Sequence, residues 1–170
     1  MKTYYLIISE FFPATHHKAG QPTYFADKIE AAGVPLMDGY MRGITPEPKY
    51  KYHTIRANYD LWKKRFDEIL AGNACLSIRE WKGRPYRSGQ RELTRLTRED
   101  GIGIQCLTFE DHFWKSDTLR HPAVDGMPID DYTQISANDG LNAGDWMEWF
   151  LDYNLDSQMA IIQFTKFRYN

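Results

Sequence analysis

The stretch that most constrains the fold is Lys49–Arg56, with the sequence KYKYHTIR. β-Branched and aromatic residues dominate it, and the prolines just before it, Pro46 and Pro48, oppose a helix, so we predict a β-strand here. Alternate side chains of a strand lie on opposite faces, so Lys51 and Thr54 can meet only if the strand ends or bulges near Thr54. Two interpretations are open: a half-buried strand with a solvated basic face, or part of a pocket.

The length of 170 residues is enough for one domain with its own core, so we predict a single domain over residues 1–170. The 42% of hydrophobic residues indicates a globular protein and not a disordered one. No apolar run approaches the roughly 20 residues that span a bilayer, and the N-terminal run is too short for a signal peptide. We therefore expect no membrane contact and a cytoplasmic location, with Cys75 and Cys106 as buried free thiols.

The charge is distributed unevenly along the chain. Residues 49–98 hold 13 Lys and Arg against 5 Asp and Glu, a net charge of +8, whereas the whole chain has a net charge of −2. A basic middle in an acidic chain indicates an anionic partner that binds one face. The alternative is that these charges only decorate the outer faces of several strands and one helix.

The hydrophobic pattern predicts about six strands and three helices, mostly antiparallel, so the predicted class is α+β, built on a curled sheet or small barrel. The strands are predicted at residues 3–9, 49–56, 74–80, 88–96, 102–109 and 159–167, and the helices at 23–32, 60–70 and 142–153. The strands at 88–96 and 102–109 are predicted to pair with each other. The remaining long segments are predicted to be irregular insertions, at residues 10–22, 34–48 and 110–137.

Polar residues at the helix starts predict how the helices begin. Thr23 and Asp60 are the expected N-caps of the first two helices, and Asn142 with Asp145 resembles a capping box at the start of the third. Leu70 is expected on the buried face of the second helix.

Several common functional motifs are missing from the sequence. Gly101-Ile-Gly103 is too short for a phosphate-binding loop, and there is no Gly-x-Ser-x-Gly elbow. The histidines show no metal-binding spacing, so we expect neither a metal nor a cofactor; these residues are His16, His17, His53, His112 and His121.

What remains is a lysine, a threonine and a carboxylate from elsewhere in the chain. A lysine whose pKa is lowered by burial or by neighbouring cations can act as a base towards a hydroxyl or a water. The same residue types can instead bind a phosphate, with Lys and Arg as charges and Thr as a donor. Binding is chemically less demanding, so residue types alone favour binding over catalysis.

The segment Lys51-Tyr-His-Thr54-Ile-Arg56 resembles the Lys-x-x-Thr-Ile-Arg signature of ASCH domains, which belong to the PUA-like superfamily. Other parts follow in the family's order. A short helix comes before the signature, Gly72–Ser77 is similar to the family's step into a strand, and an Asn-Asp-Gly-Leu turn at 138–141 leads into the last helix. The resemblance covers roughly residues 22–168.

This resemblance implies a small PUA-like β-barrel, mixed or antiparallel, with flanking helices and a cleft at the signature strand. Domains of this superfamily bind RNA or hold modified bases, and some small ASCH proteins are amidohydrolases of N4-acetylcytidine that use a lysine, a threonine and a glutamate. Matched by position, the lysine corresponds to Lys51 and the threonine to Thr54. The glutamate falls at or near Asp139. Asp139 is one methylene shorter than Glu, and Asn-Asp-Gly is also a common turn sequence, so both interpretations of Asp139 are open.

A basic and aromatic stretch follows the third predicted strand. Trp81 and Tyr86 could stack on bases while Lys82, Arg84 and Arg87 contact phosphates, as in single-stranded nucleic-acid binding. The alternative is that the two aromatic rings belong to the core at a hairpin. The predicted ligand-binding residues are Lys49, Lys51, Thr54, Arg56, Arg79, Trp81, Lys82, Arg84, Tyr86 and Arg87.

The sequence therefore predicts binding of RNA or of a modified nucleoside or nucleotide in a basic cleft. The second prediction is an amidohydrolase for an acylated nucleobase, with Lys51 as base, Thr54 as nucleophile or water-orienting group and Asp139 as proton shuttle. The third is an interaction module whose basic face meets an acidic protein.

Overall fold

The computed structural model describes residues 1–37, 45–110, 121–129 and 132–170. These residues form eight β-strands, four α-helices and one short 3-10 helix. In chain order the elements are β1 (Lys2–Ile7), α1 (Phe25–Ala31), β2 (His53–Ala57), α2 (Tyr59–Leu70), β3 (Ala74–Trp81), β4 (Gln90–Leu96), the 3-10 helix (Arg98–Asp100), β5 (Gly103–Glu110), β6 (His121–Val124), β7 (Met127–Pro128), α3 (Tyr132–Asn138), α4 (Ala143–Trp149) and β8 (Met159–Gln163).

The strands form two sheets. A three-stranded sheet has the order β1-β3-β4, in which β1 runs parallel to β3 and β4 is antiparallel to it. A five-stranded antiparallel sheet has the order β2-β8-β5-β6-β7. The predicted α+β class is confirmed, as is the predominance of antiparallel pairs.

The predicted pairing of the strands at 88–96 and 102–109 is wrong. β4 pairs with β3 instead, and β5 lies in the other sheet between β8 and β6. The reason is the burial of β8, whose five residues are all buried. The buried backbone N–H and C=O groups along both edges of β8 need hydrogen-bond partners, and β2 and β5 provide them.

The strand predicted at 49–56 begins later than expected. In the structure, β2 covers only His53–Ala57. The backbone before it is held by other elements. The Lys51 amide donates to the Lys28 carbonyl at 3.0 Å, and the Tyr52 amide donates to the Asn138 carbonyl at 2.8 Å. Lys51 therefore lies between α1 and the end of α3. Because it precedes β2, its side chain does not follow the alternation of side chains between the two faces of that strand.

Part of the segment predicted to be irregular is ordered. Within 110–137, the described residues include β6, β7 and most of α3, none of which the sequence pattern predicts. These elements are short, so they carry too few residues to show a period. The rest of this segment (111–120 and 130–131), and residues 38–44 of the segment at 34–48, lie outside the described residues.

Two of the predicted helix caps are wrong. The side chain of Asn58, and not of Asp60, caps α2 by accepting a hydrogen bond from the Leu61 amide at 3.2 Å. Tyr24 is the cap residue of α1, while the Thr23 hydroxyl donates to the Ser9 carbonyl at 2.7 Å. The Thr23 hydroxyl also accepts a hydrogen bond from the Phe25 amide at 3.3 Å, whereas the Tyr24 side chain makes no capping hydrogen bond, so the local pattern places the start of α1 one residue too early.

The predicted start of the last helix is confirmed. Asn142 caps α4, and its side-chain oxygen accepts a hydrogen bond from the Asp145 amide at 2.8 Å.

The core lies between the helices and the two sheets. Trp62, Phe66 and Ile69 of α2 are buried, whereas Leu70 is exposed, contrary to prediction. Full burial of each large apolar side chain stabilises the fold by about 1.5–3 kcal/mol. Cys75 is buried as expected and Cys106 is partly exposed, and both thiols are free. Within the described part of the chain, no helix has both the length and the apolar character that crossing a membrane requires.

Candidate active site

A buried lysine and a buried carboxylate meet at the point where β2, α1 and the α3–α4 turn come together. The Lys51 ammonium lies 2.5 Å from Oδ1 of Asp139 and 2.6 Å from its carbonyl oxygen. It also lies 4.0 Å from the centre of the Phe25 ring. The Lys51 residue is only 1% exposed. These contacts hold the amine in one position and remove it from bulk water.

Burial and charge act on Lys51 in opposite directions. Burial lowers its pKa below the usual 10.5, because a charged amine loses hydration in the interior, and the carboxylate of Asp139 offsets part of this effect. The positive charge of Arg56 lowers the pKa slightly further. A lysine in this environment can lose its proton more readily than an exposed one.

Asp139 is held from two sides and is more than a turn residue. It is 4% exposed, and its Oδ2 accepts a hydrogen bond from the Trp146 indole at 3.1 Å. Burial raises its pKa, while the charges of Lys51 and Arg56 and the Trp146 hydrogen bond work against that rise. The carboxylate is therefore placed to exchange a proton with Lys51.

Gly140 makes this approach possible. Its φ is +82°, a left-handed conformation that glycine adopts readily. A Cβ atom at this position would lie 3.3 Å from both Lys28 Cδ and Lys51 Cβ, closer than most such contacts. The glycine of the predicted Asn-Asp-Gly turn thus lets two lysine side chains pass against the backbone.

Thr54 and Arg56 line a narrow cleft with Lys51 and Asp139. The cleft has a cavity volume of about 10 Å³, about enough for one water molecule. The Thr54 residue is 5% exposed, and its hydroxyl makes no hydrogen bond within the described residues. The remaining lining residues are Ile8, Ser9, Phe25, Ile55, Leu141, Trp149 and Phe150. The cleft can thus admit a small functional group, and the rest of a ligand has to lie outside it.

Arg56 is a second cation at the cleft. Its guanidinium donates to the carbonyl oxygens of Ile7 and Ile55 and forms no ion pair with a carboxylate among the described residues. Burial lowers its pKa, but arginine stays protonated in proteins. Arg56 therefore brings a positive charge that no described carboxylate neutralises by contact.

A larger aromatic groove adjoins this cleft. It has a volume of about 460 Å³ and shares Ile8 and Ser9 with the cleft. Its lining includes Trp81 and Tyr86, whose ring centres lie 5.2 Å apart. The other lining residues are Ile7, Glu10, Phe11, Phe12, Pro13, Ala14, Gly83 and Pro85. The groove is large enough for a planar ring beside the cleft.

The other predicted binding residues lie apart from the cleft. Lys49 is exposed, with its ammonium 3.7 Å from Glu47, and Arg79 lies over the Tyr5 ring at 4.6 Å and donates to the Ser77 hydroxyl. The remaining three predicted binding residues lie at exposed positions on the β3–β4 connection; they are Lys82, Arg84 and Arg87. The predicted set is therefore divided between a buried cleft, an aromatic groove and an exposed loop, with Lys49 and Arg79 in none of the three.

Two neighbours of Lys51 escaped the sequence analysis. Lys28 is 4% exposed and donates to the Gly140 carbonyl at 2.7 Å; burial, with Lys51 nearby, lowers its pKa to about 8. His53 is fully buried beside Lys51, its Nε2 lies 2.7 Å from the Tyr169 hydroxyl, and burial lowers its pKa well below 6.5. The only sequence features that could have predicted these contacts are the position of Lys28 on the buried face of its helix and the position of His53 in its strand.

Fold and site together define a mixed α+β domain with a buried lysine–aspartate pair and a threonine in one cleft. No family model, curated protein or solved structure matches this chain. Its function therefore has to be argued from the site itself.

Proposed function

We propose that this protein is an amidohydrolase that removes an acyl group from the exocyclic nitrogen of a nucleobase, as in N4-acetylcytidine. The observation that carries the proposal is the 2.5 Å contact between Lys51 Nζ and Asp139 Oδ1 in a cleft that Thr54 also lines. A phosphate-binding lysine would need its charge available to the ligand. Lys51 instead faces a carboxylate and is almost fully buried, which favours proton transfer over anion binding.

The chemistry assigns one role to each residue. Neutral Lys51 accepts a proton from the Thr54 hydroxyl or from a water that this hydroxyl orients. The activated oxygen attacks the amide carbonyl, a C–O bond forms, and the C–N bond breaks. Asp139 receives the proton from Lys51 and returns it to the leaving nitrogen. If Thr54 is the nucleophile, a water then attacks the acyl ester, the bond to Thr54 Oγ breaks, the proton of the water returns to Oγ through Lys51, and the acyl group leaves as a carboxylic acid.

Arg56 is suited to stabilise the charge that develops during attack. Its guanidinium lines the same cleft and is not neutralised by a described carboxylate. A fixed positive charge in a site that excludes water stabilises a developing oxyanion far more than it would in solution. The acyl carbonyl would then lie between Arg56 and Thr54.

The substrate class rests on the adjoining aromatic groove and on the resemblance of residues 51–56 to the ASCH signature. The cleft holds only a group of about the size of one water, so an acetyl group would have to widen it slightly. The base would lie in the groove against Trp81 and Tyr86, where aromatic side chains offer stacking surfaces.

The test is hydrolysis of N4-acetylcytidine by the purified protein. We expect turnover by the wild type, with at least about a hundredfold loss in both Lys51→Met and Lys51→Arg. Lys51→Arg keeps a cation beside Asp139 but cannot act as a base, so it separates lost chemistry from lost folding. The matched control is Lys63→Met, at an exposed lysine paired with Asp67. Absence of turnover in the wild type, or equal turnover in the folded Lys51 variants, would contradict the proposal.

A second candidate function is binding of single-stranded RNA, and the exposed β3–β4 connection favours it. Three cations there lie beside the aromatic groove, namely Lys82, Arg84 and Arg87. We expect affinity for a short RNA to fall steeply with salt, and the slope to decrease in Arg84→Gln/Arg87→Gln. Lys51→Met should leave this binding unchanged. An RNA affinity that responds to Lys51→Met and not to the loop variant would contradict this candidate.

We also propose that the two sheets together form the PUA-like barrel that the resemblance implies. The support is the hydrogen bond from the Arg56 guanidinium on β2 to the Ile7 carbonyl on β1. Both strands are edge strands of their sheets, so this contact lies where a barrel would close.

A further inference from the structure

We propose that His16, His17, Asp145 and Glu148 form a binding site for one divalent transition-metal ion such as zinc. Each residue offers one ligand atom, and these four atoms all lie within 4.8 Å of one another. Two imidazole nitrogens and two carboxylate oxygens are a ligand set that zinc accepts in four-coordinate sites. The cluster is separate from Lys51 and Thr54, and the inference does not depend on the proposed activity.

Two of the separations between the atoms are close to those of a metal site, and a third is shorter because the two groups are hydrogen-bonded. Nε2 of His16 lies 3.4 Å from Oε2 of Glu148 and 3.8 Å from Oδ1 of Asp145. Nδ1 of His17 contacts the same Glu148 oxygen. Ligand bonds of about 2.0–2.2 Å place neighbouring tetrahedral ligands roughly 3.3–3.6 Å apart. Small side-chain movements are therefore enough to enclose an ion.

The fold holds these ligands in place before any ion arrives. Asp145 and Glu148 are three residues apart on α4, so they lie on the same face of the helix. His16 is 4% exposed, and its ring packs against Phe12 with 4.6 Å between ring centres. Its backbone is fixed within a turn, because the His16 amide donates to the Pro13 carbonyl at 3.0 Å.

The surrounding contacts leave one oxygen of Asp145 for the ion. Lys18 Nζ lies 2.6 Å from Oδ2 of Asp145, which orients the carboxylate and leaves Oδ1 facing the histidines. Metal binding through Nε2 of His16 would replace its contact with the Asp145 carbonyl, now 3.2 Å long. The proton would then sit on Nδ1, so the Lys18 amide would have to release its 3.1 Å hydrogen bond to that nitrogen.

The expected role of the ion is structural. Four protein ligands fill a tetrahedral site, so no position remains open for a substrate or a reactive water. The ion would tie the N-terminal loop (residues 10–22) to α4. Phe12 of that loop lines the aromatic groove, and Trp149 of α4 lines the Lys51 cleft. Metal binding would therefore stiffen the walls of both cavities.

The experiment is a calorimetric titration of the full chain, free of any polyhistidine tag and stripped with a chelator, with zinc chloride. We expect one zinc per chain for the wild type and at least about tenfold weaker binding in His17→Ala and in Glu148→Gln. Both changes are at side chains that are at least partly exposed, 61% for His17 and 27% for Glu148, so these variants should fold. The matched controls are Glu68→Gln, at an exposed carboxylate beside Lys2, and His121→Ala, and both should bind zinc as the wild type does.

A second measurement separates this site from surface binding of zinc. In an amide NMR spectrum, the Lys18 resonance should shift when zinc is added to the wild type, and in Glu148→Gln the same shift should need at least about tenfold more zinc. The alternative to a metal site is that the four side chains form only histidine–carboxylate ion pairs. Failure of the wild type to bind zinc saturably, or unchanged affinity in both His17→Ala and Glu148→Gln, would overturn the proposal.

Discussion

At the scale of single residues, the chain buries a charged pair that would be costly to leave incomplete. Lys51 and Asp139 are 1% and 4% exposed, and each is the other's counter-charge. Removing one partner of a buried pair typically costs about 3–5 kcal/mol, because an uncompensated charge stays in the interior. An exposed pair contributes about 0–1 kcal/mol. The molecule contains an exposed ion pair as well, between Lys63 and Asp67, whose charged atoms lie 3.0 Å apart.

This difference gives a prediction for stability. We expect Asp139→Asn to lower the free energy of unfolding by about 3–5 kcal/mol, and Lys51→Met/Asp139→Asn to lose less than the sum of the two single changes. The measurement is urea denaturation of the four proteins in this double-mutant cycle. The same cycle on Lys63 and Asp67 is the control, with an expected coupling of at most about 1 kcal/mol. Similar coupling in the two cycles would show that Lys51 and Asp139 are not a buried ion pair.

At the scale of elements, the helix–turn–helix formed by α3, the Asp139-Gly140 turn and α4 positions the carboxylate. Trp146 of α4 is fully buried and donates its indole N–H to Asp139 Oδ2. A hydrogen bond to the ionised form lowers the pKa of a carboxyl group. Trp146 is therefore a positioning residue for Asp139.

We predict that Trp146→Phe raises the pKa of Asp139, because it removes this donor while keeping an aromatic ring in the core. If ionised Asp139 is needed for turnover, the acidic limb of the kcat/KM profile should move to higher pH. The control is Trp62→Phe, a buried tryptophan of α2 that lines neither the cleft nor the groove. A profile that moves equally in both variants, or in neither, would argue against this role.

Elements with a long apolar pattern could be predicted from the sequence, but their partners could not. β3, α2 and β8 were expected from β-branched runs and from the helical spacing of Trp62, Phe66 and Ile69. The pairing of β5 with β8 joins residues 52 to 60 positions apart, and no local signal encodes that choice. Likewise, Lys51 and Asp139 are 88 residues apart, so only the resemblance suggested their contact.

At the scale of the whole molecule, the site affects stability through Lys28 as well. Burial and the nearby Lys51 charge lower the pKa of Lys28 to about 8, below the usual 10.5. Between these values the unfolded chain holds a proton that the folded chain has released. Unfolding then takes up a proton, so stability increases as the pH rises through this window.

We predict that Lys28→Met removes this contribution. Relative to the wild type, the variant should gain less stability between pH 8 and about 10, because it lacks the lysine that releases a proton on folding. The measurement is urea denaturation at several pH values. Lys64→Met, at an exposed lysine of α2, is the control and should follow the wild type. Parallel curves for wild type and Lys28→Met would contradict the prediction.

The proposed role of Lys51 as a base is tested most directly by its pKa, because that measurement needs no assumption about the substrate. The measurement is an NMR titration of the protein with 13C-labelled lysine side chains, in which Lys51→Arg identifies the resonance by its loss. We predict that Lys51 titrates below 10.5. A Lys51 resonance that titrates at or above 10.5 would mean that Asp139 keeps the amine charged, and would rule out Lys51 as the base.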